Sequence, residues 1–331
     1  MENSFQALTV DKKGKQFSVR LNRYTVDKLP DDDVLIRVRY SDINYKDGLA
    51  GTPDGKIIRT YPFIPGIDLA GEVVSSRDPR FHTGDSVIAT GYDIGVTHFG
   101  GYSEYVRMPG DWLVPLPKAM TFKQSMFYGT AGFTAALAIQ RLEDSGLTPS
   151  QGKVLVTGAT GGVGSLAIAM LSKRGYRVVA ESGKAAAKDY LKQLGTEEII
   201  PRFKVNDGAI RPLAHQQWAA AVDTVGGSAL AVVLSQIKQH GSVAACGNAG
   251  GNHVPATIFP FILRGVSLVG IDSVYCPMSL RLKIWHRLTN DLNISDQSGL
   301  ISKEITLREL PDQLTDIIKG KHLGRTLVKL C

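Results

Sequence analysis

The first third of the chain alternates. In Val34-Leu-Ile-Arg-Val-Arg-Tyr40, Val34, Ile36, Val38 and Tyr40 fall on one face, and Leu35, Arg37 and Arg39 on the other. That is the period of a half-buried antiparallel strand. Gly71–Val74, Asp85–Ala89 and Tyr102–Val106 read as further short strands, with turn residues between them. Residues 1–125 therefore predict a β-rich domain. Further on the pattern changes. Short apolar runs at Val154-Leu-Val, Arg177–Ala180, Glu198–Ile200, Ala220–Thr224, Ser242–Cys246 and Val266–Ile271 predict buried strands. Between them, Ser165–Leu171 and Lys184–Leu194 predict helices, each stopped by a glycine, Gly175 and Gly195. Strands alternating with helices imply a doubly wound parallel sheet over 126–270. Arg325–Leu330 is strand-like again, so 271–331 is expected to return to the β-rich domain.

The first parallel strand ends in Gly158-Ala-Thr-Gly161-Gly162-Val-Gly164. The spacing of Gly158, Gly161 and Gly164 is a relative of the dinucleotide fingerprint. Small residues let the backbone turn tightly and approach a pyrophosphate, and the helix that follows aims its N–H groups and positive dipole end there. A strand before and a helix after turn a weak glycine signal into a useful one. The competing reading is a purely structural turn.

The end of the second parallel strand selects the cofactor. NAD enzymes place an acid there for the ribose hydroxyls. Here the chain reads Ala180-Glu181-Ser182-Gly183-Lys184. Strand side chains alternate, so Glu181 falls one residue early and points to the other face. Ser182, the Gly183 amide and Lys184 suit a 2′-phosphate, which predicts NADPH. The plainer alternative has Lys184 opening an exposed helix.

Several further motifs occur in a fixed order: Asn44-Tyr-Lys-Asp47, Pro65-Gly-Ile-Asp68, Gly100–Tyr105 and Gly129-Thr-Ala-Gly-Phe-Thr-Ala135, then the glycine turn. The chain resembles the medium-chain dehydrogenase/reductase superfamily in its zinc-independent quinone oxidoreductase branch. Ser41–Asp47, Asp78-Pro-Arg-Phe81, Asp111–Val114, Ala244–Gly247, Pro260–Arg264 and Gly324–Val328 are similar to the YhdH/YhfP-type subgroup, which includes acrylyl-CoA reductase. The resemblance implies an α/β protein, a GroES-like β-rich catalytic domain plus a Rossmann domain. It implies Thr160, Gly161, Gly162 and Val163 at the pyrophosphate, and Ser182, Gly183, Lys184 and Arg202 at the adenosine phosphate. Asn248, Ile262 and Ser273, on loops after later strands, would line the nicotinamide side, with Thr134 reaching the cofactor or only packing its helix. Asn248 stands where close relatives are expected to be apolar. Tyr45 would lie near the chemistry, as proton donor or as a group packed on the nicotinamide, and Asn44 would orient the carboxamide. Lys46 and Asp47 read as exposed helix residues. A homodimer is implied, through the edge near Val266–Ile271.

Alcohol-oxidising members of the superfamily hold a catalytic zinc with a Cys near the Asn44 position and a His-Glu pair near Ile67-Asp68, and often a four-cysteine zinc near residues 91–111. This chain's cysteines are Cys246, Cys276 and Cys331, outside both regions, and its seven His are scattered. Zinc needs three or four ligands at close spacing, so no metal is expected. Hydride transfer to an activated C=C or a quinone remains. The expected reaction is NADPH-dependent reduction of a short enoyl-CoA. The alternatives are an NADPH:quinone oxidoreductase and an NADPH-binding sensor or interaction protein with little turnover.

Composition adds little. Of the 331 residues, 43% are hydrophobic and 21% charged, and the net charge is +7. The basic residues are spread rather than blocked, so nucleic acid is not an expected partner. An odd cysteine count fits a reducing compartment. With no secretory pattern at Met1-Glu-Asn-Ser and no apolar run of about 18 residues, a cytoplasmic protein without a membrane partner is expected.

Overall fold

The alternating segments pair into antiparallel sheets. The structure, a computed structural model, describes residues 4–203 and 210–330. It opens with a hairpin of β1 (Ser4–Lys13) and β2 (Gln16–Thr25), which the sequence reading did not identify. Next come β3 (Val34–Asp42), the short helix α1 (Tyr45–Ala50), β4 (Asp68–Ser76), β5 (Ser86–Thr90), β6 (Tyr105–Met108) and β7 (Leu113–Pro115). Val34, Ile36 and Val38 pack one core with Leu69, Val73, Val87 and Val106. Leu35, on the opposite face, is buried too, against Phe5, Ala7 and Ile64. The β1–β2 hairpin supplies Phe5 and Ala7, so β3 is covered by apolar residues on both faces.

Helix α2 (Phe122–Asp144) leads onward and is kinked at Gly129, whose φ is 49°. Six parallel strands follow: β8 (Lys153–Val156), β9 (Arg177–Glu181), β10 (Glu198–Ile200), β11 (Trp218–Asp223), β12 (Ile237–Ala245) and β13 (Ser267–Gly270). Between them lie α3 (Gly162–Lys173), α4 (Lys188–Gln193), α5 (Gly227–Gln236) and α6 (Phe259–Arg264). The helix expected over 184–194 divides into a tight 3₁₀ turn at Ala185–Ala187 and α4. The sheet order is β10-β9-β8-β11-β12-β13. Strand order therefore reverses between β8 and β11, the point at which open α/β sheets leave a ligand crevice at their carboxyl ends.

The last part of the chain is divided. The chain forms two units that part between Thr130 and Ala131, and Val274–Pro277 and the residues from Ile301 onward group with the first. Met278–Leu300, with α7 (Met278–Thr289), groups with the second. Thus 271–331 does not return in one piece. The reason is local to α7, where Trp285 lies 6.2 Å from Phe133 and the Arg281 guanidinium sits 5.0 Å over the same ring. The returning strands β14 (Ile301–Thr306) and β15 (Arg325–Lys329), with α8 (Leu310–Ile318) between them, complete a sheet ordered β14-β15-β3-β4-β5-β7, with β6 also on β3. No helix among the described residues is long and apolar enough to cross a membrane.

Candidate active site

The glycine turn sits at the strand-order reversal. Gly158 follows β8 with φ 57°, and a Cβ there would stand 2.2 Å from Thr224 Oγ1. A Cβ on Gly164 would stand 2.4 Å from the Gly158 carbonyl oxygen. Both glycines are therefore required by packing alone. Gly161 differs. A Cβ there would meet only the Gly158 oxygen, at 3.4 Å, so the fold leaves room for a side chain that the sequence does not supply. Gly161 is also the N-cap of α3, and no side chain caps that helix. The first-turn N–H groups, from Gly162 and Val163 on, keep their capacity for an anion. The bare turn and uncapped helix fit a dinucleotide pyrophosphate.

Buried polar groups hold the turn from below. Thr157 Oγ1 donates to Asp223 Oδ1 at 2.7 Å and accepts from Thr224 N at 3.0 Å, tying the ends of β8 and β11. Gly226 N donates to Asp223 Oδ2. Glu181, only 4% exposed, takes the Gly158 N–H on Oε2 at 3.3 Å. Its burial raises its pKa, while the Gly158 and Phe203 amides and Arg202 oppose the rise. Its carboxylate is thus engaged with the turn itself.

Ser182, Gly183, Lys184 and Arg202 come together beyond β9 and β10. Ser182 N donates to Ile200 O, and Lys184 N to Ser182 Oγ. A Cβ on Gly183 would touch the Arg202 side chain at 3.0 Å. Burial, with Arg202 nearby, lowers the Lys184 pKa. Two cations held close beside a hydroxyl suit a phosphate, because an anion relieves their repulsion.

Of the other residues expected at the cofactor, Thr134 Oγ1 donates to Ser273 Oγ at 2.9 Å. Asn248 lies exposed after β12, its Cα 3.2 Å from where a Cβ on Gly226 would be. Ile262 is a correction: it stands 65% exposed on helix α6, not on a loop after a strand. Arg264, at the end of α6, bonds the Ser235 and Ile237 carbonyls at the amino end of β12, while the glycine turn is at the carboxyl end of β8.

The Tyr45 region is built differently. Tyr45 opens α1 and is 48% exposed. Beneath it, Asp42, Asp47, Asp68 and Arg325 are all buried. Arg325 Nη2 donates to Asp42 Oδ2 at 2.6 Å and its Nε to the Phe127 carbonyl at 3.0 Å. Asp68 takes the Thr130 N–H at 2.7 Å and the Thr130 hydroxyl. Gly129 permits this approach, since a Cβ there would stand 1.9 Å from Asp42 Oδ2. Burial, with Asp68 and Asp47 nearby, holds the Asp42 carboxyl well above the usual range despite Arg325. Burial pushes Asp47 up to about 7, against hydrogen bonds from the Asn44 and Ile67 amides.

Two expectations change here. Asp47 is buried rather than an exposed helix residue, because its carboxylate completes a capping box with Asn44 and also accepts from Ile67 N. The Asn44 amide faces inward: Nδ2 donates to Asp42 Oδ1 at 2.6 Å and Asp68 Oδ2 at 2.9 Å. Both its hydrogens are used, so toward a nicotinamide carboxamide Asn44 has Oδ1, an acceptor, to offer. Asp42, Thr130 and Arg325 were not singled out in the sequence as site residues. The available signal was an ionisable residue inside an apolar strand: Asp42 closes β3, and Arg325 opens the Arg-Thr-Leu-Val run. Among the described residues, no group of three or more His, Cys, Asp or Glu could hold a metal ion.

Residues 30–118 match the family model described as alcohol dehydrogenase GroES-like domain, and residues 162–285 that described as zinc-binding dehydrogenase. The chain is 48% identical over 326 residues to the acrylyl-CoA reductase AcuI of Ruegeria pomeroyi, with 98% of both chains covered. It is 56% identical to the Bacillus subtilis protein yhfP, whose structure has NAD bound, with a TM-score of 0.96 and 99% of each chain covered. The yhdH oxidoreductase of Salmonella enterica, solved in complex with NADP, is 47% identical with a TM-score of 0.95, over 98% of this chain and 100% of that one.

Proposed function

Because the chain belongs to the medium-chain dehydrogenase/reductase family, in the branch of YhdH/YhfP-type quinone oxidoreductases and acrylyl-CoA reductases, we propose that it is a zinc-independent, NADPH-dependent reductase of short enoyl-CoA thioesters. The observation that carries this reading lies at the positions where zinc-dependent members keep ligands. Asn44 spends its amide on two buried carboxylates, and Ile67 is apolar and 4% exposed. Neither is available to a metal, so an alcohol oxygen would lack its Lewis acid.

The nicotinamide, when bound, supplies a hydride. Gly161, Gly162 and Val163, with Thr160 beside them, would hold its pyrophosphate on the uncapped end of α3. Ser182, Gly183, Lys184 and Arg202 would hold the 2′-phosphate and so favour NADPH over NADH. Thr134, Ser273 and Asn248 belong to the same cofactor set. The exposed Tyr45 hydroxyl is the group of the first unit offered to substrate. It either gives a proton to the α-carbon of the reduced thioester or packs on the nicotinamide.

A homodimer paired through β13 also fits. That strand ends its sheet, and Leu268 on it, with Ile262 and Leu263 on α6, is exposed and apolar. Sedimentation as a single 35.8 kDa chain would count against the dimer. A cytoplasmic setting, with its supply of reduced cofactor, suits the reaction.

The deciding experiment follows NADPH absorbance with acrylyl-CoA and, in parallel, a small quinone. Fast oxidation with acrylyl-CoA alone supports the thioester reading. Fast oxidation with the quinone alone makes the chain a quinone reductase. NADPH binding without oxidation by either makes it a binding protein.

A further inference from the structure

Asn44 touches every member of the buried cluster. Its backbone N–H donates to Asp47 Oδ2 at 2.8 Å, and its Nδ2 donates to Asp42 and Asp68. Its Oδ1 lies 3.4 Å from the Arg325 guanidinium, as acceptor. An aspartate here would add a fourth carboxylate, and a leucine would take a donor away from both Asp42 and Asp68. Only an amide offers two donors and an acceptor from one side chain.

Tyr45 is the next residue and the first of α1. That helix has six residues, too few to hold its own direction. Its amino end is fixed by the Asn44–Asp47 capping box, and Asn44 is fixed in turn by Asp68. Asp68 is itself clamped by both donors of Thr130, at the kink of α2. The chain of contacts runs Thr130, Asp68, Asn44, Tyr45, and it ends at the only exposed member.

We propose that Asp68 is a positioning residue that acts through Asn44 to set the direction in which Tyr45 meets the bound reactants. It touches no reactant itself. This rests on the reading of Tyr45 as a substrate- or cofactor-side group.

Asp68→Ala is the test. Thr130 N and Asn44 Nδ2 both donate to Asp68 Oδ2, so the substitution takes their shared acceptor away and leaves Asp42 as the acceptor for Asn44 Nδ2. Displacing a reacting group by about 1 Å costs up to about a hundredfold in rate, so a fall in kcat of roughly thirtyfold is expected. The NADPH dissociation constant should stay within about threefold, as befits a change felt after binding. In a Tyr45→Ala background the same substitution should add less than about threefold, because its effect passes through the side chain already removed. The conservative Asp68→Asn, whose amide oxygen can take the shared Oδ2 position, should recover most of the rate. An equal loss with and without Tyr45 overturns the proposal, as does an unchanged kcat.

Amide hydrogen exchange over residues 44–51 decides the matter separately from turnover. Exchange there should quicken about tenfold in Asp68→Ala and return in Asp68→Asn, since local opening follows lost anchoring. Unchanged exchange overturns the inference even if the enzyme is active. Quickened exchange in a chain that reduces none of the acceptors supports the anchoring while the functional reading falls. If Asp68→Ala does not fold, Thr130→Val removes only the hydroxyl donor and should move kcat and exchange in the same direction by a smaller factor.

Discussion

The glycine turn and the acid cluster are both dense in polar groups, and they use them in opposite ways. Around Tyr45, Asp42, Asp47, Asp68, Arg325 and Asn44 meet inside the protein, and the hydrogen bonds close on one another. At Gly158–Gly164 the buried groups Thr157, Asp223 and Glu181 shape the loop from below, and the helix end above it carries no side-chain cap. One region uses its polar groups to fix a backbone; the other withholds them from the fold. Binding capacity is therefore to be sought where donors are left over, and rigidity where they are consumed.

The sharpest way to break this contrast is to remove the charge that closes the cluster. Arg325→Met leaves Asp42 buried without its guanidinium, and losing one partner of a buried pair costs about 3–5 kcal/mol. Urea denaturation should show a loss of that size; one below about 1 kcal/mol, the scale of an exposed pair, would mean the cluster is not closed. At the turn the opposite is expected. Gly161→Ala should change stability by less than about 1 kcal/mol, since capping and chain-entropy effects nearly offset. The same substitution should weaken NADPH binding at least about tenfold, roughly 1.4 kcal/mol, in a fluorescence titration. Stability loss without binding loss would make the turn structural.

Arg202→Ala sharpens the contrast within the second unit. It should weaken NADPH about tenfold through one lost charge-assisted hydrogen bond, while leaving NADH within about twofold. The NAD found with yhfP makes this the discriminating measurement for cofactor choice. The last comparison concerns protons. Asp47, pushed up to about 7 by burial, binds its proton more tightly folded than unfolded, where an aspartate titrates near about 4. Its contribution to stability is whole below about pH 4 and is lost as the pH rises through about 7. Asp47→Asn should flatten the decline in melting temperature between pH 4.5 and 7.5 by about a third or more of its slope on this linkage. An unchanged slope would place the proton elsewhere.

The turn was legible in the sequence because it is local. Gly158, Gly161 and Gly164 lie within seven residues, flanked by a strand and a helix whose patterns can be read directly. The parallel sheet was legible for the same reason, through apolar runs at Val154, Val178 and Val243. The cluster was not, because Asp42, Thr130 and Arg325 meet only after β3, the α2 kink and β15 have assembled. Asp47 shows the limit plainly: beside Lys46 at the start of a short helix it reads as surface, and the partners that accommodate its burial include the Ile67 N–H, twenty residues on, and the Tyr102 hydroxyl. Leu35 was assigned to an outer face because the hairpin that covers it was not recognised.

The position of Arg325 also bears on how the molecule is made. Synthesis delivers Asp42, Asp47 and Asp68 early, and their guanidinium 283 residues after Asp42. In between, the ribosome completes every strand of the parallel sheet and the whole glycine turn. Until the last β strand emerges, the three acids have no counter-charge and the first β sheet lacks two of its strands. The nascent chain can therefore finish its nucleotide-binding half first, while the half that carries Tyr45, though begun earlier, closes last.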